Sequence, residues 1–191
     1  MSRGEDLPTL PHYLGPGLRI VFVGYNPGLD SARLGHYYAR PGNAFWRHLN
    51  ASGLVRRSVG PADDGLLMDE AGIGFTDLCP RPSLRASELT PEELLAGGRR
   101  LHEELLAAQP HVAVLGGRQI FNVFAGVTWG LTGRELRSRT FGPQPERIGE
   151  RTRLWVVPNS SGLASGLHAA RLELLRRLAD ELRDGADQNG S

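Results

Sequence analysis

Four short segments hold the side chains that could do chemistry. Residues 24–28, "GYNPG", put Asn26 in a turn directly after an apolar run. Residues 76–82, "TDLCPRP", hold Asp77; residues 116–119, "GGRQ", hold Arg118; residues 158–165, "PNSSGLAS", hold Asn159 and Ser161. An amide is no strong base, but its carbonyl accepts a hydrogen bond from water and orients it for attack. A partly desolvated carboxyl has a raised pKa and takes a proton near neutrality. Backbone N–H groups at a helix start, with an Arg beside them, make a phosphate seat. Each segment also has a plainer reading. Asn26 before Pro27 fits an Asx-turn, Asp77 fits local backbone capping, and 158–165 fits a small-residue strand–helix loop. No segment matches a P-loop, a G-x-G-x-x-G fingerprint or a G-x-S-x-G elbow, which counts against ATP, dinucleotide and serine-hydrolase chemistry.

All four segments follow a predicted strand. "LRIVFVG" (18–24) is rich in β-branched residues and bounded by Gly-Pro-Gly and Asn-Pro-Gly, so it reads as a strand buried on both faces. "IGFTDL" (73–78), "HVAVLGG" (111–117) and "RLWVVP" (153–158) also read as strands. Helices are predicted between them. One follows Asn43 as N-cap and stops at Gly53, with Phe45, Trp46 and Leu49 on its apolar face. A short one lies within 63–72. A long one starts at Thr90, with Pro91 in the first turn and Glu93 completing a capping box, and runs to about Gln109. Its Gly97-Gly98 pair suggests close packing. Others follow Gly117 and span 170–182, where Leu repeats at helical spacing. Residues 29–43 read as a long loop, which inside a compact domain is usually functional. Residues 1–17 are expected to be a flexible arm, 18–184 the domain, and 185–191 a frayed tail. The alternation of strands and helices predicts an α/β fold: one three-layer αβα domain with a central, mostly parallel sheet. Such a sheet binds ligands outside the carboxyl ends of its strands, so it would gather the four segments on one rim.

Composition narrows the chemistry. A chain of 191 residues fits one domain with a full core. The net charge of +1 gives no global attraction to polyanions, so any basic surface must be local. All 22 basic residues are Arg; guanidinium forks suit phosphate, but the plainer source is a GC-rich coding sequence, in keeping with the 25 Gly. The one Cys, Cys79, excludes an internal disulfide and a four-thiolate cluster. The six His form no H-x-H or H-x-x-x-H pair, so no metal site and no cofactor are expected. No charged-then-apolar leader opens the chain and no apolar run approaches the ~20 residues of a membrane span. A cytoplasmic, nucleoid-associated bacterial protein with no membrane partner is the expectation.

The same residues carry a resemblance. "VFVGYNPGLDSA", "GHYYARPGNAFW", "GIGFTDL", "AGGRRL", "VAVLGGRQIF" and "VVPNSSGL" occur in the order and spacing of the mismatch-specific uracil/thymine-DNA glycosylases. The sequence resembles that family from about residue 18 to about residue 178, most specifically in "G-x-N-P-G" followed by "PGN-x-FW". The resemblance implies a uracil-DNA glycosylase-like fold. It also implies hydrolysis of the N-glycosidic bond between deoxyribose and uracil, or thymine in a G·T mismatch, without metal or cofactor. The target nucleotide must leave the stack first, because its anomeric carbon is shielded there.

The resemblance implies roles residue by residue. Asn26 matches the residue that positions the attacking water. Tyr38 matches the aromatic that stacks on the flipped base, although packing is its plainer reading. Tyr25 would line the pocket through its backbone, whose N–H groups face the base oxygens where charge develops. Asp77 departs from the family, which carries Asn or Lys there. A carboxylate would accept from N3–H of uracil or thymine, or supply the base that Asn26 cannot. Asn159 and Ser161 fall near the pocket and the scissile phosphates, and Gly162 and Leu163 where an apolar wedge holds the duplex open. Asn43 and Arg118 complete the expected DNA contacts, with Arg47 a weaker one. Ala164 and Ser165 stand where the family often has Arg, which bears on reading the orphan guanine. The expected partner is double-stranded DNA with a U·G or T·G mismatch, met by a monomer. Lyase activity is not expected, since no Lys exists to form a Schiff base. Two alternatives stand beside this reading. A hydrolase of free nucleosides would need no wedge loop, and a damage-binding module would need no water-positioning Asn26.

Overall fold

The computed structural model describes residues 7–188. Five strands among them form one sheet: β1 (Ile20–Gly24), β2 (Ile73–Asp77), β3 (Val112–Gly116), β4 (Gly142–Ile148) and β5 (Thr152–Val157). The order is β2-β1-β3-β5-β4, parallel throughout except that β4 runs antiparallel to β5 at one edge. The helices are α1 (Leu29–Leu34), α2 (Phe45–Ser52), α3 (Leu67–Ala71), α4 (Pro91–Ala108), α5 (Arg118–Trp129), α6 (Gly133–Ser138) and α7 (His168–Gln188).

Side chains alternate across the sheet because successive Cβ atoms on a strand point to opposite faces. Ile20, Phe22, Phe75, Val114 and Trp155 pack on one face with Phe45 and Leu49 of α2 and Leu175 and Leu178 of α7. Val21, Val23, Leu115 and Val156 pack on the other with Leu101 and Leu105 of α4 and Phe121 and Phe124 of α5. Each buried Leu or Phe is worth roughly 1.5–3 kcal/mol, so neither face could be left to water. The result is the three-layer αβα arrangement expected from the alternation.

Two devices bring α4 onto the rim. Thr90 caps it: its Oγ1 accepts from the Glu93 N–H at 3.2 Å, while the Glu93 carboxylate accepts from the Thr90 N–H at 2.8 Å. Gly97 lets it approach the end of β2, for a Cβ there would stand 2.1 Å from the Leu78 carbonyl oxygen.

Some expectations fail, for identifiable reasons. Of the arm 1–17, residues 1–6 lie outside the described residues, but 7–17 are fastened down. Tyr13 pairs with Phe75 through both backbone hydrogen bonds, and Leu10 is buried. The strand edge of β2 offers unpaired donors and acceptors, and this segment satisfies them. Residues 29–43 are not one loop but begin with α1, whose buried Ser31 Oγ accepts from the Ala39 N–H at 3.1 Å and folds the rest back. The helix α7 runs past Gly185 to Gln188, and residues 189–191 lie outside the described residues. β4 and α6 had no counterpart in the sequence reading. β4 carries Pro143 and Pro145 and buries only its ends, a pattern tolerated on an edge strand.

Candidate active site

Strand β1 delivers the turn 24–28 to the carboxyl end of the sheet, between β2 and β3, where the chain order reverses. The turn is tied to the segment after β2. Leu78 N–H donates to the Gly24 carbonyl at 2.8 Å, Cys79 N–H to Tyr25 at 2.9 Å, and Ser83 N–H to Pro27 at 3.1 Å. Asn26 is held by the same segment. Its Nδ2 donates to Ser83 Oγ at 2.8 Å, the Arg81 carbonyl at 3.0 Å and the Pro27 carbonyl at 3.2 Å. The Ser83 hydroxyl donates its own proton to the Arg85 carbonyl at 2.8 Å, so it can only accept from Asn26. This fixes the amide: its NH₂ faces the 81–83 backbone, and Oδ1, without a hydrogen-bond partner among the described residues, is left for the cavity that Asn26 lines. The Asx-turn does not form.

Asp77 ends β2 in register with Gly24. Its side chain is 6% exposed and makes no hydrogen bond among the described residues, so it does not cap local backbone either. Burial pushes its pKa up to about 7, against the opposing pull of Arg100. That guanidinium contacts the backbone side instead, donating to the Asp77 carbonyl at 2.5 Å while pairing with Glu104. The carboxyl therefore exchanges its proton near neutrality, where a water activator is useful. Gly24 makes room for it: a Cβ there would stand 2.1 Å from Asp77 Oδ1 and 3.4 Å from the Tyr38 hydroxyl. Cys79 is no competing nucleophile, because burial pushes its thiol up to about 11.

Tyr38 closes the other side. Its ring lies parallel on Phe45, with centroids 3.9 Å apart, and its backbone takes the left-handed conformation at φ 53°. That uncommon geometry for a non-glycine residue is held by its surroundings. Asp64 accepts from the Tyr37 N–H at 2.9 Å, and the Trp46 indole N–H donates to the Tyr37 carbonyl at 3.0 Å. Tyr37 is thus structural, its hydroxyl donating to the Pro11 carbonyl at 2.9 Å. Asn159 Oδ1 accepts from the Ser161 N–H at 2.7 Å, and the Ser160 carbonyl accepts from the Ala44 N–H at 2.9 Å. The last bond locks the 158–161 loop to the start of α2.

Tyr25, Asn26, Tyr38, Asn43, Asp77, Asn159 and Ser161 therefore line one cavity of about 210 Å³. Gly162 borders a second hollow of about 180 Å³ at its mouth, with Asn43 and the exposed Arg40. Asn43 is not the N-cap expected of it: Ala44 takes that position, and Asn43, one residue earlier, accepts from the Phe45 N–H through Oδ1 at 2.9 Å. Leu163 lies in a 3₁₀ turn spanning Gly162–Leu167, but its side chain is outside the described residues. Arg118 does not join them. It donates to the carbonyls of Arg139 and Leu136 and sits over Phe141, so it brackets α6 and β4 rather than forming the phosphate seat expected from sequence. A larger hollow of about 770 Å³ lies at the opposite end of β1, beside Arg19 and Gly72. It holds none of these groups, and its Arg57 is engaged by Asp63 and Glu70.

The site thus joins an oriented amide oxygen, a buried carboxyl of near-neutral pKa and a stacked aromatic around a base-sized space. A family model for the uracil DNA glycosylase superfamily matches residues 11–183. The chain belongs to the uracil DNA glycosylase superfamily. That membership makes it a DNA glycosylase of base excision repair, a hydrolase with DNA as its substrate. Several residues lining or bracing this glycosylase pocket escaped the sequence reading, Arg40, Ser83 and Arg171 among them. Ser83 follows a flagged segment directly, and its position after "CPRP" was the available signal. Arg171, buried in α7 and lining the cavity, had none, being one Arg among 22. Among the described residues no group of three or more His, Cys, Asp or Glu is placed to hold a metal, and no helix is long and apolar enough to cross a membrane.

Proposed function

We propose that this glycosylase excises uracil, and thymine opposite guanine, from double-stranded DNA as a monofunctional, cofactor-free monomer. The observation that carries the reading is that the unpartnered Asn26 Oδ1 and the Asp77 carboxyl line the same cavity. Asn26 Oδ1 accepts a hydrogen bond from a water and aims it at C1′. Asp77 receives the proton that the water loses. Tyr38, braced by Phe45, supports the flipped base through stacking. Asn159 and Ser161 contact the extruded nucleotide, and Gly162 and Leu163 occupy the space it vacates. Arg40 and Asn43, at the cavity mouth, contact the backbone. Ala164 and Ser165 leave the orphan base without a guanidinium reader, so opposite-base selectivity is relaxed. The absence of Lys leaves no side-chain amine for a Schiff base, so the product is an intact abasic site.

Duplexes carrying U·G, U·A and T·G, and single-stranded uracil DNA, incubated with the protein and then treated with alkali, test this directly. Alkali-dependent breakage is expected at uracil in both duplex contexts, and more slowly at T·G. The absence of breakage on every substrate refutes the reading. Breakage before alkali refutes its monofunctional part.

A further inference from the structure

Arg171 is a charge that the mechanism above leaves unused. It lies in α7, 2% exposed, with Nε and Nη1 buried and lacking any hydrogen-bond partner. No carboxylate pairs with it among the described residues. Its guanidinium carbon stands 5.3 Å over the Phe45 ring, the same ring that braces Tyr38. The titratable groups that feel its charge are Tyr38 and, on α2, His48, and the His48 ring meets that of His168 edge to face at 5.0 Å. Burial, and then Arg171 itself, push His48 down to about 4, so it is neutral at physiological pH. Arg171 itself is lowered to about 10 by burial and stays charged.

Burying an unpaired guanidinium is strongly unfavourable, and a cation–π contact with Phe45 offsets only part of it. Arg171 nonetheless lines the cavity that holds Asn26, Tyr38 and Asp77. A cation kept without a partner beside an empty space is matched to an anion that enters that space. A backbone phosphate is poorly placed to reach it, because Arg171 is buried while the duplex backbone stays at the mouth near Arg40. The flipped base can reach it. When C1′–N1 breaks heterolytically, the bonding pair goes to N1 and spreads onto the pyrimidine oxygens. Water adds through oxygen to C1′, and its proton goes to Asp77.

We propose that Arg171 is the anion-binding group of the base pocket, taking the negative charge that develops on the departing pyrimidine. This rests on the glycosylase reading above and assigns a residue to its leaving group. Charge stabilisation of that kind in a site closed to water is commonly the largest catalytic contribution.

The test compares uracil with 5-fluorouracil, whose anion is the better leaving group, each opposite guanine under single-turnover conditions. Arg171→Met keeps the packing of the stem and removes the charge; Arg171→Lys keeps the charge. The Met variant should slow uracil excision by roughly 100-fold or more, 5-fluorouracil excision by much less, and Lys should recover part of the loss. The Met variant should also be at least as resistant to thermal unfolding as wild type, since an unpaired buried charge is gone. Equal slowing of both bases, or a loss that tracks lowered stability, overturns the proposal. If wild type cleaves neither base, the glycosylase reading fails separately. Arg171 is then judged by calorimetric binding of free 5-fluorouracil below and above that base's own ionisation. Tightening on ionisation in wild type but not in Arg171→Met supports the anion site, and the same tightening in both overturns it.

Discussion

Replacing Asp77 by Asn keeps the shape of a buried side chain and removes its ability to ionise. The folded-state pKa of about 7 lies well above the ordinary 3.8, because burial disfavours the charged form. Between those values the folded protein holds a proton that the unfolded chain has released. Stability associated with the neutral acid is therefore full below about pH 4 and is lost as pH rises through about 7. The gap corresponds to on the order of 4 kcal/mol once the carboxylate is charged. Asn carries no such pH term, although its new donor, if unsatisfied, costs about 1–3 kcal/mol at every pH. The stability of Asp77→Asn relative to wild type should therefore rise by on the order of 4 kcal/mol from acid to mildly alkaline pH. Urea unfolding followed by tryptophan fluorescence across that range measures it. The kinetic counterpart is the single-turnover rate of uracil excision. In wild type it should climb about tenfold per pH unit and level off above about 7; in the variant it should be lower and lack that limb. A stability difference that stays constant with pH would show that Asp77 is not held neutral by burial. An unchanged rate profile would remove it as the proton acceptor.

Three further substitutions probe the rest of the site. Asn26→Ala should lower single-turnover excision by about 100-fold or more through loss of the oriented water, while gel-shift affinity for a U·G duplex persists; wild-type rates in the variant refute the assignment. Gly24→Ala places a methyl where Asp77 Oδ1 now stands, so it should cost about 1–3 kcal/mol of stability and displace the carboxyl. The excision rate should then fall and the inflection near pH 7 should move, and an unmoved inflection would count against the crowding. Arg40→Gln should weaken duplex binding and reduce the steepness of log K against log salt by about one unit; an unchanged slope would mean that Arg40 meets no phosphate.

What could be read from the chain alone were the features that local physics writes into a sequence. β1, β2, β3 and β5 announce themselves because strands covered on both faces must be apolar at nearly every position. The capping box at Thr90 and Glu93, the stop at Gly53 and the rim position of Asn26, Asp77 and Asn159 follow from similarly short-range rules. β4 was illegible because its two prolines and alternating burial make sense only against β5. The orientation of Asn26 was equally hidden: the atoms that turn its amide lie 55 and 57 residues away, on Arg81 and Ser83. Arg118 and Arg171 invert what sequence context suggests. The first follows a glycine pair at a helix start yet is absorbed by the carbonyls of Leu136 and Arg139. The second is lost in a repetitive helix yet lines the pocket, with two buried nitrogens that find no partner among the described residues. Sequence determined which residues could carry charge and where the strands end. Only tertiary packing decided which donors and acceptors found partners within the protein and which were left for a substrate, because that balance depends on neighbours brought together from across the whole chain.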